Sequence, residues 1–291
     1  MRISHNMMVS RLLADLEAGK SRLSRYQRML SSGKLFERPS DAPVQVVEAL
    51  RLQSAIDQAQ QFMKNCDDAI NWVKASDSAL GNTGDVLSRV RELALSAANS
   101  TMSYEARQNV VAELRHLLEH MIQLGNGAHG DRYIFAGHKT TTRPFEKVGD
   151  NVVYLGDAGG IIRDLGTGVS IQISVPGDGV FMGVFPVLQG LIKNITQGDL
   201  MGITSNIEQL DRCINKVLET RAEMGARGNR LELTRNRLLD MESSFTRLLL
   251  EAEGVDYAKV ITMLAAEENA YQLALNAGAR IIQPSLLDFL R

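Results

Sequence analysis

Ile203 to Leu248 reads ITSNIEQLDRCINKVLETRAEMGARGNRLELTRNRLLDMESSFTRL, and Ile203, Leu210, Val217, Met224, Leu231, Leu238 and Phe245 recur in it at every seventh position. The alternate seam positions are mixed, with Thr220, Arg227 and Thr234 giving way to Met241 and Leu248. An apolar residue at each heptad keeps one helix face against a partner. The pattern predicts a single helix of about 50 residues, ~75 Å long at 1.5 Å rise per residue.

Such a helix needs an equally long surface to bury against. Ala49, Leu52, Ile56, Ala59, Met63, Cys66, Ile70, Val73, Leu80 and Leu87 form a second stripe, broken at Asp77 and Gly84. Ser40 or Asp41 can cap its start, and Pro43 suits a first helical turn. A third helix, capped at Ser103 and running to about Leu124, carries Val110, Leu114, Leu117 and Met121. Antiparallel packing of the three predicts an elongated helical rod.

Proline and glycine mark where that rod is interrupted. The prolines stand at 39, 43, 144, 176, 186 and 284, while 16 of the 24 glycines fall between Gly125 and Gly202. Between these breakers Val169 to Val175 alternates apolar and polar, the period of a half-buried strand. Tyr133 to Ala136, Val152 to Leu155 and Ile161 to Leu165 are shorter strand candidates. The expected fold class is mainly α with a small antiparallel β insert.

The two chain ends carry seams of their own. Val9, Leu12, Leu16, Leu23, Tyr26 and Leu30 follow 3-4 spacing with Gly19 as the gap, and Ile261, Leu264, Tyr271, Leu275, Gly278 and Ile282 form a weaker stripe containing Glu268. Gly254 reads as a helix stop and Asp256 as the next N-cap; Gly33 and Pro39 mark the equivalent joint near the start. Three regions follow: a terminal helix pair from 1–40 and 256–291, a long-helix rod from 41–136 and 186–255, and a β-rich region over 137–185. Leu286, Leu287, Phe289 and Leu290 put four large apolar side chains into the last six positions. Short helices are marginal alone in water, so these ends are expected to become fully ordered on joining an assembly, with both seams and the apolar tail as interface.

Length and composition bound the alternatives. With 291 residues, more than one structural unit is expected. A chain 44% apolar and 23% charged, of net charge −2, is a folded protein with no overall affinity for polyanions. The longest uncharged apolar stretch, Gly179 to Ile192, carries Pro186 and is short for a membrane span. The charges of the first twenty residues, Arg2, Arg11, Asp15, Glu17 and Lys20, leave no apolar core for a cleavable signal peptide.

Several motifs resemble those of a known family. Met1-Arg2-Ile3-Ser4, Leu30-Ser31-Ser32-Gly33-Lys34 and Arg38-Pro39-Ser40-Asp41-Ala42-Pro43 resemble the N-terminal region of the bacterial flagellin superfamily. Gly130-Asp131-Arg132-Tyr133-Ile134-Phe135-Ala136-Gly137 resembles its passage out of the helical rod. Ile281 to Leu290 is similar to the C-terminus of the family's hook-filament junction members, whereas the asparagine-rich opening usual in flagellin itself is absent. The resemblance implies a structural protein of the flagellum with no catalytic chemistry and no cofactor. It implies unfolded export without signal cleavage, an export chaperone and export apparatus as partners, and an extracellular location at the hook-filament junction. Flagellin, the other junction protein and further copies in a ring are the neighbours it implies, with the terminal pair as inner tube and the β-rich region outermost. A flagellin-type filament subunit is the alternative.

Catalytic readings are weaker. His116 and His120 stand one helical turn apart near Glu119, which would suit a metal-dependent hydrolase, but the metalloprotease pattern needs glutamate where Leu117 stands. Gly156 to Gly160 and Gly177-Asp178-Gly179 lack the lysine and strand-helix context of a phosphate loop and read as turns. Eight Lys or Arg against three acids in the first forty residues surround the seam instead of forming one face, so neither nucleic acid nor membrane insertion is expected. Cys66 and Cys213 read as free thiols, with a disulfide between them as the alternative.

Overall fold

The computed structural model describes residues 5–36, 38, 40, 42–99, 102–149 and 151–282, and the side chains among them from 7 to 280. The elements in chain order are α1 (His5–Ser32), α2 (Pro43–Ala97), α3 (Tyr104–Gly125), β1 (Ala128–His129), β2 (Arg132–Tyr133), β3 (Phe145–Val148), β4 (Asn151–Tyr154), β5 (Ile162–Gly166), β6 (Val169–Gln172), α4 (Asp178–Phe181), α5 (Val184–Gln197), α6 (Leu200–Glu253) and α7 (Tyr257–Ile282). The chain divides into two compact units, one of residues 58–241 and one of residues 1–57 with 242–291.

In the 58–241 unit the sequence stripes become the core. Ile203, Leu210, Val217, Met224, Leu231 and Leu238 of α6 are all buried, as are Cys66, Ile70, Val73, Leu80 and Leu87 of α2. The two helices run antiparallel, held in register by Asp67 with Arg235 at 2.6 Å, Asp77 with Arg221 at 2.9 Å and Arg91 with Asp211 at 2.6 Å. Asp77 therefore interrupts the apolar stripe because it pairs across the seam. Thr220 is buried at an alternate seam position, where its hydroxyl donates to the Lys216 carbonyl. Ser76 and Thr83 likewise donate to the Trp72 and Ala79 carbonyls, so these buried hydroxyls remain satisfied within their own helices.

Local capping follows the sequence. Ser103 caps α3 by accepting from the Ala106 amide at 3.2 Å. Between α5 and α6 the chain turns at Gly198, left-handed at φ 74°, and Asp199 then accepts from the Met201 and Gly202 amides at 3.1 Å. The apolar stretch Gly179 to Ile192 runs through α4 and α5, whose Phe181, Val184, Phe185, Leu188 and Leu191 are buried.

The β insert is smaller than its alternation suggests. It consists of three separate two-stranded antiparallel pairs, β1-β2, β3-β4 and β5-β6. The strand expected over 169–175 ends at Gln172, and the one expected at Tyr133 to Ala136 holds only Arg132–Tyr133. The pairs dock through specific contacts. Asn65 of α2 donates to the Asp164 carbonyl at 2.9 Å, and Arg227 of α6 reaches the carbonyls of Gln172 and Ser174 at 3.3 and 3.4 Å. Phe145 is the hub beneath, with ring centroids 5.1, 5.3 and 5.4 Å from Tyr154, Phe181 and Phe185. Gly125 and Gly177 make room for it, since a Cβ on either would approach the Phe145 ring to 2.7 and 2.8 Å. Cys66 is buried and Cys213 half-buried; both are free thiols whose ionisation burial pushes up.

A candidate assembly interface at the terminal helix pair

In the unit of 1–57 and 242–291, α1 and α7 lie antiparallel along one seam. On α1 the side chains of Val9, Leu12, Leu16, Leu23, Tyr26 and Leu30 are half-buried, and Gly19 between them is buried. On α7 the inward set is Val260, Leu264, Glu267, Tyr271, Ala274 and Gly278. Leu264 and Tyr271 thus join the α1 seam, whereas Ile261 and Leu275 face outward, 55% and 45% exposed. The side chains of Ile282, Leu286, Leu287, Phe289 and Leu290 lie outside the described ones.

Glycine decides which residues meet. A Cβ at Gly19 would stand 3.2 Å from the Tyr271 ring, and one at Gly278 would stand 2.7 Å from Leu12 Cδ2. The gap at Gly19 therefore seats an aromatic ring from the opposite helix. Polar closure comes from Arg22, whose Nε and Nη2 both donate to Glu267 Oε1, at 2.9 and 2.7 Å. That hydrogen bond, together with the charge of the Glu267 carboxylate, holds the Arg22 guanidinium above its ordinary pKa. The acid in the seam is Glu267, with its neighbour Glu268 exposed.

The helix ends are tied by a short backbone bridge. The Leu35 amide donates to the Glu253 carbonyl at 2.8 Å, and the Val255 amide donates to the Gly33 carbonyl at 3.1 Å. Lys34 Nζ adds an ion pair to Glu253 at 2.9 Å. Gly33 holds φ 70°, a left-handed conformation that costs glycine little, and a Cβ there would meet the Tyr257 hydroxyl at 2.7 Å. Asp256 then caps α7 by accepting from the Lys259 amide at 3.1 Å. Beside the bridge, Phe36, Ala49, Ile56 and Leu249 form a small buried cluster.

This unit buries little of its apolar surface. Among the described residues it holds 14 of the 26 exposed large hydrophobic side chains but only 5 of the 46 buried hydrophobic ones. Val44 is 84% exposed, Leu273 69% and Met7 65%. Apolar exposure is thus concentrated in this unit, whereas the 58–241 unit has a well-filled core; large exposed apolar patches on folded proteins commonly mark interaction surfaces. His116 and His120 are exposed on α3, and no group of three His, Cys, Asp or Glu able to hold a metal occurs among the described residues.

Known proteins share this organisation. A family model described as the bacterial flagellin N-terminal helical region matches residues 3–140, and one described as the bacterial flagellin C-terminal helical region matches residues 207–290. The chain is 25% identical over 305 residues to flagellar hook-associated protein 3 of Escherichia coli, covering 95% of this chain and 96% of that protein. It is 26% identical over 282 residues to the flagellin of Bacillus subtilis, covering 88% and 89%. Among solved structures, FlgL of Xanthomonas campestris superposes with a TM-score of 0.63 at 18% identity, over 69% of this chain and 99% of that one. Matched at both helical regions that its seams define, the chain belongs to the bacterial flagellin family, whose members are structural proteins of the flagellum.

Proposed function

We propose that this chain is the hook-filament junction subunit of a bacterial flagellum, a structural protein without catalytic activity. The observation that carries the reading is its end-to-end similarity to Escherichia coli hook-associated protein 3, spanning 95% of this chain and 96% of that protein. The exposed apolar surface of the terminal unit supports it physically, because a subunit completed by its neighbours needs such a surface and an isolated enzyme does not. In this reading the protein leaves the cell unfolded through the flagellar export apparatus, escorted by a chaperone. It then folds between the other junction protein and the first flagellins, in a ring of its own copies. Residues 1–40 and 256–291 form the inner tube, 41–136 with 186–255 the rod around it, and 137–185 the outer part. The seam residues of α1 and α7, with Leu286, Leu287, Phe289 and Leu290, are the assembly contacts.

A second reading, a flagellin-type filament subunit, is favoured by the 26% identity to Bacillus subtilis flagellin. Gold-labelled antibody on isolated flagella separates the two. A single narrow band at the hook-filament boundary is expected; label along the whole filament would establish the second reading instead.

A further inference from the structure

An open cleft of about 500 Å³ lies on the 58–241 unit, walled by α3, α5 and the β3-β4 pair. Arg115 from α3, Lys147 from β3 and Lys193 from α5 bring three cations to it from three separate elements. Among the described residues one acid lines it, Glu119, whose carboxylate is 3.9 Å from Lys147 Nζ. Arg115 and Lys193 are exposed and make no ion pair among the described residues. Like charges around one concavity repel one another, and an anion between them relieves that repulsion.

Size and lining narrow the ligand. The volume is that of a site for an extended ligand, far larger than one oxyanion requires. The α5 wall from Gln189 to Gln197 is about 12 Å long at 1.5 Å per residue, the span of about four extended residues at ~3.3 Å each. Leu118 and Ile192 add aliphatic lining, and Asn151 and Gln197 offer amides that both donate and accept. Among the described residues no aromatic ring that would stack a sugar lines the cleft. We infer that this cleft binds an acidic polypeptide segment of another protein, its carboxylates on Arg115, Lys147 and Lys193 and its aliphatic stems on Leu118 and Ile192. All the lining residues belong to the 58–241 unit, and the inference does not depend on the junction reading.

The test uses the full chain and fluorescence anisotropy with a labelled hexaglutamate peptide at low ionic strength. Saturable binding is expected, weakening as salt is added. The double variant Arg115→Glu/Lys193→Glu should weaken it at least tenfold, while Arg237→Glu, an exposed change on α6 outside the cleft, should leave it unaltered. The milder Lys193→Gln, checked for unchanged helical content, should weaken it in the same direction. Undiminished binding by both cleft variants would overturn the inference. So would competition by inorganic phosphate or oligogalacturonate as effective as that by unlabelled hexaglutamate.

Discussion

Leu12 and Gly278 meet across the α1-α7 seam so closely that a Cβ on the glycine would stand 2.7 Å from Leu12 Cδ2. The contact fixes how near the two terminal helices approach. Gly278→Val should force them apart, costing about 1–3 kcal/mol of pairing by overpacking. Gly278→Ala should be far milder, because the tip of Leu12 can shift and alanine gains ~1 kcal/mol of helix propensity over glycine. Circular dichroism melting checks this: the valine variant loses terminal helix early and keeps the main transition.

Gly33 supports a second prediction. Its φ of 70° and the nearby Tyr257 hydroxyl leave no comfortable place for a side chain. Gly33→Ala should cost about 1 kcal/mol for the left-handed conformation alone, and more for the collision. The Val255 amide, which donates to the Gly33 carbonyl, should then exchange faster by NMR.

Phe145 packs against three aromatic rings and is fully buried. Phe145→Ala should destabilise the 58–241 unit by about 3–5 kcal/mol, read as a lower denaturant midpoint, while the terminal pair is unaffected. Equal loss in both units would contradict the division of the chain.

The Tyr154 hydroxyl lies 2.9 Å from the carbonyls of Phe135 and Asp157, and burial pushes its pKa from 10.0 up to about 12. A raised folded-state pKa means the native state holds its proton longer than the unfolded chain. This contribution to stability is therefore full below pH 10 and lost as pH rises towards 12. Alkaline titration should show one tyrosine ionising late, with unfolding steepening in that window. Tyr154→Phe should remove the late titration and lose about 1 kcal/mol for the hydrogen bond at neutral pH.

The long helices are legible from sequence because heptad spacing over Ile203 to Leu238 admits one solution, and Ser103 and Gly254 announce their boundaries locally. The α7 seam is only partly legible. Heptad spacing places Gly278 correctly but selects Ile261 and Leu275, whereas the small residues at 19 and 278 permit a close approach with Val260 and Ala274 turned inward. Strand β3 has no local signal in Phe145-Glu146-Lys147-Val148. It is set at long range by Asn126, which accepts from the Phe145 amide at 2.8 Å and donates to its carbonyl at 2.9 Å. The Arg22-Glu267 pair is likewise invisible until the register of two distant segments is known.

The central claim, that the terminal helices are completed by neighbouring subunits, is tested most directly by hydrogen-deuterium exchange on the dilute purified chain. Amides of α1 and α7 should exchange orders of magnitude faster than those of α2 over 58–97 and α6 over 203–241, and become protected once the protein is incorporated into filaments. Protection of α1 and α7 in the solitary molecule equal to that of the α2-α6 core would contradict the account.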